Sequence, residues 1–151
     1  MTRHSVQDVL DWCRHEMDHP SRNWDHDCMM MTRSALGQAP WAYSARLAYQ
    51  RIPDRFRYYT PLSKVPAGVP CFGLLNTNWG HAWISARGDA GFTVDYRQRG
   101  RIDRAPVNLP AWTNDSKVRW TDWSPFGMLD FVWEDPRNKG LKPDLVAKTI
   151  V

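Results

Sequence analysis

The chain has 151 residues, a length that favours a single domain able to bury a core without disulfides or metal. Its nine tryptophans support such a core, because each can bury on the order of 150 to 250 Å² of surface. We therefore expect a folded chain and not a disordered one. The formal net charge of +4 and the pI near 9.1 favour an anionic partner. The basic residues are interspersed with acidic ones and form no stripe, so we expect no nucleic acid as the main partner.

The cysteines and the apolar runs indicate where the chain is made. Cys13, Cys28 and Cys71 are odd in number and follow no zinc-ribbon spacing, so at least one thiol is expected to be free. The N-terminus lacks the apolar core of a signal peptide, and no apolar run approaches the roughly 20 residues of a membrane span. We therefore expect a soluble protein made in a reducing compartment, without a membrane span.

Three helices are predicted in the first third of the chain. Ser5 can cap the first of them, whose apolar residues recur at helical spacing until Pro20 stops it. A buried helix is predicted over residues 28–36 and another over residues 40–50. Cys28 is thus expected at a helix N-terminus.

Short apolar runs divided by turn signals predict an antiparallel sheet in the remainder. The predicted strands cover residues 69–75, 82–86, 92–96 and 126–133. Residues 53–68 are predicted to be loop, and 88–91 to be a hairpin turn. Helices followed by antiparallel strands predict an α+β domain over residues 1–134, with residues 135–151 as a C-terminal extension.

Cys28 is the first candidate for chemistry. A helix N-terminus carries partial positive charge, which can lower the pKa of a thiol from about 8.5 to between about 3.5 and 7.5. The N–H groups of the same turn could donate hydrogen bonds to an oxyanion. The alternative is a cysteine that simply packs in the core.

His81 and Asp95 complete a possible catalytic set. His81 follows Gly80 at the entrance to a predicted strand, where it could face a cleft and act as a base. Asp95 lies fourteen residues later, on the strand predicted to lie antiparallel beside it, where it could orient the imidazole. The alternatives are a solvated histidine at a strand end and a surface carboxylate.

The segment His15-Glu16-Met17-Asp18-His19 matches H-E-x-x-H, the helical zinc-binding pattern with glutamate as general base. Pro20 follows at once and no third ligand is placed nearby, so a solvated helix face is the favoured interpretation. Cys71 is read as a small core hydrophobe. The later tryptophans are expected to be mostly core, with one or two lining a groove.

Residues 5–133 resemble the papain-like cysteine hydrolases of the NlpC/P60 and CHAP group, most closely its small actinobacterial and bacteriophage members. Those members occur as endolysins or tail-associated cell-wall peptidases. The resemblance rests on the order of five segments, namely residues 24–37 around the cysteine, 66–72, 80–85 around the histidine, 93–95 with the aspartate, and 126–133 as the closing strand. Two features depart from many members: methionines 29–31 replace small residues, and the third polar group is an aspartate rather than a histidine.

The resemblance implies a papain-like fold and a peptidoglycan amidase or endopeptidase. Cys28 would attack an amide carbonyl, His81 would serve as base and then acid, and Asp95 would hold His81. No metal or cofactor is implied. The partner would be bacterial peptidoglycan, with other phage virion proteins as further partners.

A phage-encoded enzyme of this kind would be made in the host cytoplasm without a signal peptide. It would reach the cell wall by lysis or as part of a virion. The alternative function is a virion or tail structural protein that keeps the fold for binding or assembly. A zinc hydrolase that uses His15, Glu16 and His19 is a lesser alternative.

Overall fold

A computed structural model describes residues 4–38 and 44–143. Within these residues the chain is an α+β fold with four α-helices and one six-stranded antiparallel sheet. The helices are α1 (Val6–Asp18), α2 (Cys28–Ala35), α3 (Ala45–Gln50) and α4 (Leu109–Thr113). The strands are β1 (Arg57–Thr60), β2 (Pro70–Gly73), β3 (His81–Ser85), β4 (Ala90–Val94), β5 (Ile102–Pro106) and β6 (Val118–Thr121). No helix of the described part combines the length and the apolar character needed to cross a bilayer.

The strand order is β1-β6-β2-β3-β4-β5. Strands β2 to β5 follow one another across the sheet, and the last strand in sequence, β6, inserts between β1 and β2. Cys71 of β2 is opposite Trp83 of β3 on one side and Trp120 of β6 on the other. Strand β3, which begins at the predicted base His81, and strand β4, which ends one residue before the predicted acid Asp95, are both interior strands of the sheet.

Helices cover the central strands and place the cysteine beside them. Every residue of β2 and β4 is buried, so both faces of the sheet are covered. Helix α2 packs on β3 and β4, while α3 packs on β2. Apolar side chains of α1 and α2 join the larger core cluster, and those of α3 join a smaller one with Phe72 and Ala82. These contacts fix the start of α2 against the start of β3.

The first two helices confirm the sequence prediction closely. The Ser5 hydroxyl accepts a hydrogen bond from the Asp8 N–H at 3.0 Å, which is the predicted N-cap. Helix α1 ends at Asp18, two residues before Pro20. Helix α3 is shorter than predicted, because Ser44 is extended and caps a helix that starts at Ala45. Residues 40–43 of that prediction lie outside the described residues.

Two predicted elements are wrong. Residues 53–68 contain the strand β1 rather than loop alone. Residues 126–133 contain 3-10 turns instead of a strand, with Gly127 in the left-handed region at φ 66°. The closing strand is β6, whose Trp120 is fully buried and donates its indole N–H to Thr60 at 2.9 Å.

Residues that follow position 134 continue to pack on the domain. Asn138 is 1% exposed, and its amide bonds to the backbone N–H and C=O of Ala67. Its Nδ2 also donates to the carbonyl of Val132 at 2.9 Å. The start of the predicted extension is thus pinned to the loop that precedes β2. Residues 144–151 lie outside the described part.

Candidate active site

A cavity of about 640 Å³ brings the three sequence-predicted residues together. Cys28, His81 and Asp95 all line it, although more than fifty residues separate the first two in the chain. Other lining residues are His26, Met29, Ala45, Trp79, Gly80 and Val94. The start of α2 at Cys28 and the start of β3 at His81 therefore meet at one cavity.

Cys28 is the first residue of α2, and its surroundings are both apolar and rich in N–H donors. The carboxylate of the N-cap residue Asp27 pairs with Arg22 at 2.7 Å and makes no capping bond to the helix. The first-turn N–H groups are thus left without a side-chain cap. Burial raises the pKa of the Cys28 thiol, and the backbone N–H groups of Ala82 and Met29 oppose that shift without cancelling it. A helix N-terminus can lower the pKa of a thiol, but here desolvation outweighs the N–H groups, and the pKa of Cys28 lies above its ordinary value.

His81 lies in an aromatic cage. Its ring stacks on Trp83, with centroids 5.6 Å apart, and meets the edge of Trp112 at 5.0 Å. Burial in this cage lowers the pKa of His81 to about 4, while the charge of Asp95 acts in the opposite direction. The imidazole is therefore neutral at pH 7 and able to accept a proton.

Thr93 is a contact of His81 that the sequence analysis missed. Its hydroxyl lies 3.4 Å from His81 Nε2 and 3.1 Å from the carbonyl oxygen of Ala82. The side chain is 1% exposed. Its signal in the sequence is its place on β4 two residues before Asp95, because alternate strand residues share a face.

Asp95 reaches the cavity but turns its carboxylate to the backbone of two loops. Ile84 pairs with Phe92 in the β3–β4 ladder, so continuing that register would place His81 opposite Asp95. Asp95 instead leaves the strand with φ 61°, in the left-handed region. Its Oδ2 accepts from the His26 N–H at 2.8 Å and its Oδ1 from the Gly100 N–H at 2.5 Å.

The loop before Cys28 and the β4–β5 loop form one rim of the cavity. The Trp24 N–H donates to the Gly100 carbonyl at 2.8 Å, and His26 also has a positive φ, of 62°. Left-handed backbone at a non-glycine residue costs on the order of 1 to 2 kcal/mol and persists where surrounding contacts enforce it. The carboxylate of Asp95 provides that enforcement here, and so fixes the approach to Cys28.

A cluster at this rim has the donors of a metal site. One ligand atom each from Asp25, His26 and Asp95 lie within 4.8 Å of one another. However, the guanidinium of Arg99 already lies 3.1 Å from Asp25 Oδ1 and 3.2 Å from His26 Nε2. The protein's own cation thus contacts two of the three groups, and the cluster ties the loops together.

The H-E-x-x-H segment does not line the cavity, and the contacts of its glutamate stabilise the fold. Glu16 is buried, and its Oε1 accepts from the Ser21 N–H, the Ser21 hydroxyl and the indole N–H of Trp24. His15 and His19 are exposed, with ring centroids 5.1 Å apart. Because the carboxylate faces inward, Glu16 is not placed as the general base of a metal held between the two histidines.

The cavity thus combines a thiol, a neutral imidazole and uncapped N–H groups at a helix start. Those are the components of nucleophilic acyl transfer. No family model, curated protein or solved structure matches the chain. Function is therefore inferred from the residues of the cavity.

Proposed function

We propose that the chain is a peptidoglycan hydrolase, an amidase or endopeptidase with a papain-like fold of the NlpC/P60 and CHAP type. The observation that carries the proposal is the shared cavity of Cys28, at the start of α2, and His81, at the start of β3. A helix-borne cysteine and a strand-borne histidine in this chain order are the arrangement that the resemblance implies. We also propose that the protein is phage-encoded and acts at the bacterial wall.

The reaction would proceed through a thioester. Cys28 Sγ attacks the amide carbonyl carbon while its proton passes to His81. The N–H groups of the first turn of α2 donate to the oxyanion that forms. The C–N bond then breaks, and the leaving amine takes the proton from His81. Water, deprotonated by His81, attacks the thioester and releases the carboxylic acid and the free thiol of Cys28.

The two pKa shifts favour a neutral thiol and a neutral imidazole at rest. Burial raises the pKa of Cys28 and lowers that of His81, so charge separation belongs to the reaction itself. The negative charge of Asp95 raises the pKa of His81 and so stabilises the imidazolium that forms transiently. We assign Asp95 this electrostatic role in the proposed mechanism.

Two features support a large, anionic substrate such as the bacterial wall. Trp79 lies at the cavity with 72% of its surface exposed, so its indole can pack against a sugar ring or an apolar part of a peptide. Its backbone is fixed by the bond from the Arg46 N–H to the Trp79 carbonyl at 3.0 Å. The net charge of +4 favours attraction to acidic wall polymers.

The proposal is tested by digestion of purified actinobacterial peptidoglycan in reducing buffer that contains a chelator. We expect soluble fragments with new amine ends from the native protein, and a loss of at least about a thousandfold in rate for Cys28→Ala. The fragment masses would identify the bond that is cut.

His15→Gln provides a matched control, because it removes an exposed imidazole outside the cavity. We expect this variant to retain full activity in the presence of chelator. Equal release by the native protein and Cys28→Ala would contradict the thiol mechanism. Release by neither protein from several walls would contradict the hydrolase proposal and favour the structural role in a virion.

A further inference from the structure

We propose that Thr93 is the positioning residue of His81 and fixes the imidazole as the tautomer with its proton on Nε2. This inference rests on the proposed function for its catalytic meaning. Its structural content, the tautomer, rests on the contacts of Thr93 alone. In this arrangement the neutral hydroxyl of Thr93 makes the hydrogen bond to His81, and Asp95 acts on the ring through its charge.

The direction of the hydrogen bonds decides the tautomer. A threonine hydroxyl has one proton to donate and lone pairs that accept. The Ala82 carbonyl, at 3.1 Å, can only accept, so the hydroxyl proton is directed there. Toward His81 Nε2, at 3.4 Å, the hydroxyl can then only accept, which requires Nε2 to carry a proton. Nδ1 is left as the basic nitrogen of the ring.

Asp95 acts on the ring through its charge and makes no hydrogen bond to it within the described residues. Both of its oxygens accept from backbone N–H groups, those of His26 and Gly100. Its positive φ turns it out of the strand, whereas Thr93 remains in β4 with its side chain buried. Thr93 is therefore the polar side chain on β4 that meets the ring directly.

The tryptophans beside His81 make this single bond effective. Trp83 stacks on one side of the ring and Trp112 meets it edge-on, so ring rotation is restricted by packing. Packing fixes the plane of the ring but does not distinguish its two tautomers, because aromatic neighbours contact both forms alike. The hydroxyl of Thr93 supplies that distinction, and so holds a basic nitrogen ready for the thiol proton.

The experiment compares the native protein with Thr93→Val and Thr93→Ser by ¹⁵N NMR of the His81 ring and by steady-state hydrolysis. The native protein and Thr93→Ser should show a protonated Nε2 and an unprotonated Nδ1 at pH 7. Thr93→Val keeps the shape of the side chain but should show a mixture of tautomers. We expect kcat to fall about tenfold in Thr93→Val with KM unchanged, because the variant loses the free energy that one buried hydrogen bond contributes.

Thr121→Val is the matched control. Thr121 is fully buried in β6, which β2 and β3 separate from β4, and its hydroxyl has no hydrogen-bond partner within the described residues. This change should leave both the tautomer and kcat as in the native protein. A native His81 with its proton on Nδ1, or a Thr93→Val ring still wholly protonated on Nε2, would overturn the inference. Native protein that shows the expected tautomer but no hydrolysis would refute the proposed function and leave the structural assignment intact.

Discussion

The environment of His81 determines how the candidate site can work. The imidazole is enclosed by Trp83 and Trp112, and desolvation dominates its titration. Desolvation also has the largest effect on Cys28, where it raises the pKa of the thiol. Because both groups are neutral at rest, the proton must pass from the thiol to the ring during the reaction itself. The orientation of the ring is therefore a central requirement of the mechanism.

The lowered pKa of His81 predicts a pH-dependent stability. The folded value is about 4 and the ordinary value is 6.5, so the unfolded chain binds the extra proton between these limits. The free energy of unfolding should therefore decrease as the pH falls from 7 towards 4, by roughly 3 kcal/mol at about 1.4 kcal/mol per pH unit. Urea denaturation of the native protein and His81→Gln at a series of pH values measures this difference.

The His81→Gln variant should show a flatter profile between pH 7 and pH 5, because it lacks this titrating group. Carboxylates contribute to both proteins and cancel in the comparison. Parallel profiles for the two proteins across this range would show that His81 has the same pKa in the folded and unfolded chain. That result would contradict the claim that burial against Trp83 and Trp112 lowers the pKa of His81.

At the scale of elements, a close approach between β2 and α4 supports the histidine. A Cβ atom built on Gly73 would collide with the backbone carbonyl of Trp112, which cannot move without displacing the helix. Gly73 also pairs with His81 across the β2–β3 ladder. We expect Gly73→Ala to destabilise the fold by about 1 to 3 kcal/mol and to reduce activity further by shifting Trp112 from the imidazole.

Thermal denaturation and hydrolysis rates test this prediction, with Gly88→Ala as the control. Gly88 has a positive φ but open space around its Cβ position, so that change costs only local strain. Gly88→Ala should lower the melting temperature slightly and leave the rate unchanged. A Gly73→Ala protein as stable and active as Gly88→Ala would show that α4 does not hold the ring.

The elements that carry Cys28 and His81 were the ones best predicted from sequence. Helices α1 and α2 have clear apolar periodicity and definite ends, at Pro20 and Gly37. Strands β2, β3 and β4 are fully or nearly continuous apolar runs. Strong local signals thus coincide with the part of the fold that builds the cavity.

The missed strands lack such local signals. Strand β1 reads Arg-Tyr-Tyr-Thr, is half-buried throughout, and becomes a strand through its pairing with β6. Strand β5 has the consecutive charged residues Asp103 and Arg104 near its centre and pairs along its whole length with β4. Both segments become strands because they pair with other strands, and a single sequence does not reveal which segment is the partner. The role of Thr93 was missed for the same reason, since it depends on which ring the strand register brings near.

At the scale of the whole molecule, the three cysteines have different surroundings. None of the three forms a disulfide, and Cys13 and Cys71 are completely buried. Cys28 is half-buried and is the one of the three that lines the cavity, so we expect a small reagent to react with its sulfur first. Folding therefore separates one accessible thiol from two that pack as core hydrophobes.

Activity and thiol modification, followed in the same sample, test whether Cys28 is the nucleophile. Native protein is treated with iodoacetamide at pH 7, and at intervals the peptidoglycan hydrolysis rate and the alkylated fraction of each cysteine are measured, the latter by peptide mapping. We expect the rate to fall in proportion to the alkylation of Cys28, while Cys13 and Cys71 stay unmodified. Hydrolysis that persists after Cys28 is fully alkylated would contradict the assignment of this thiol as the nucleophile.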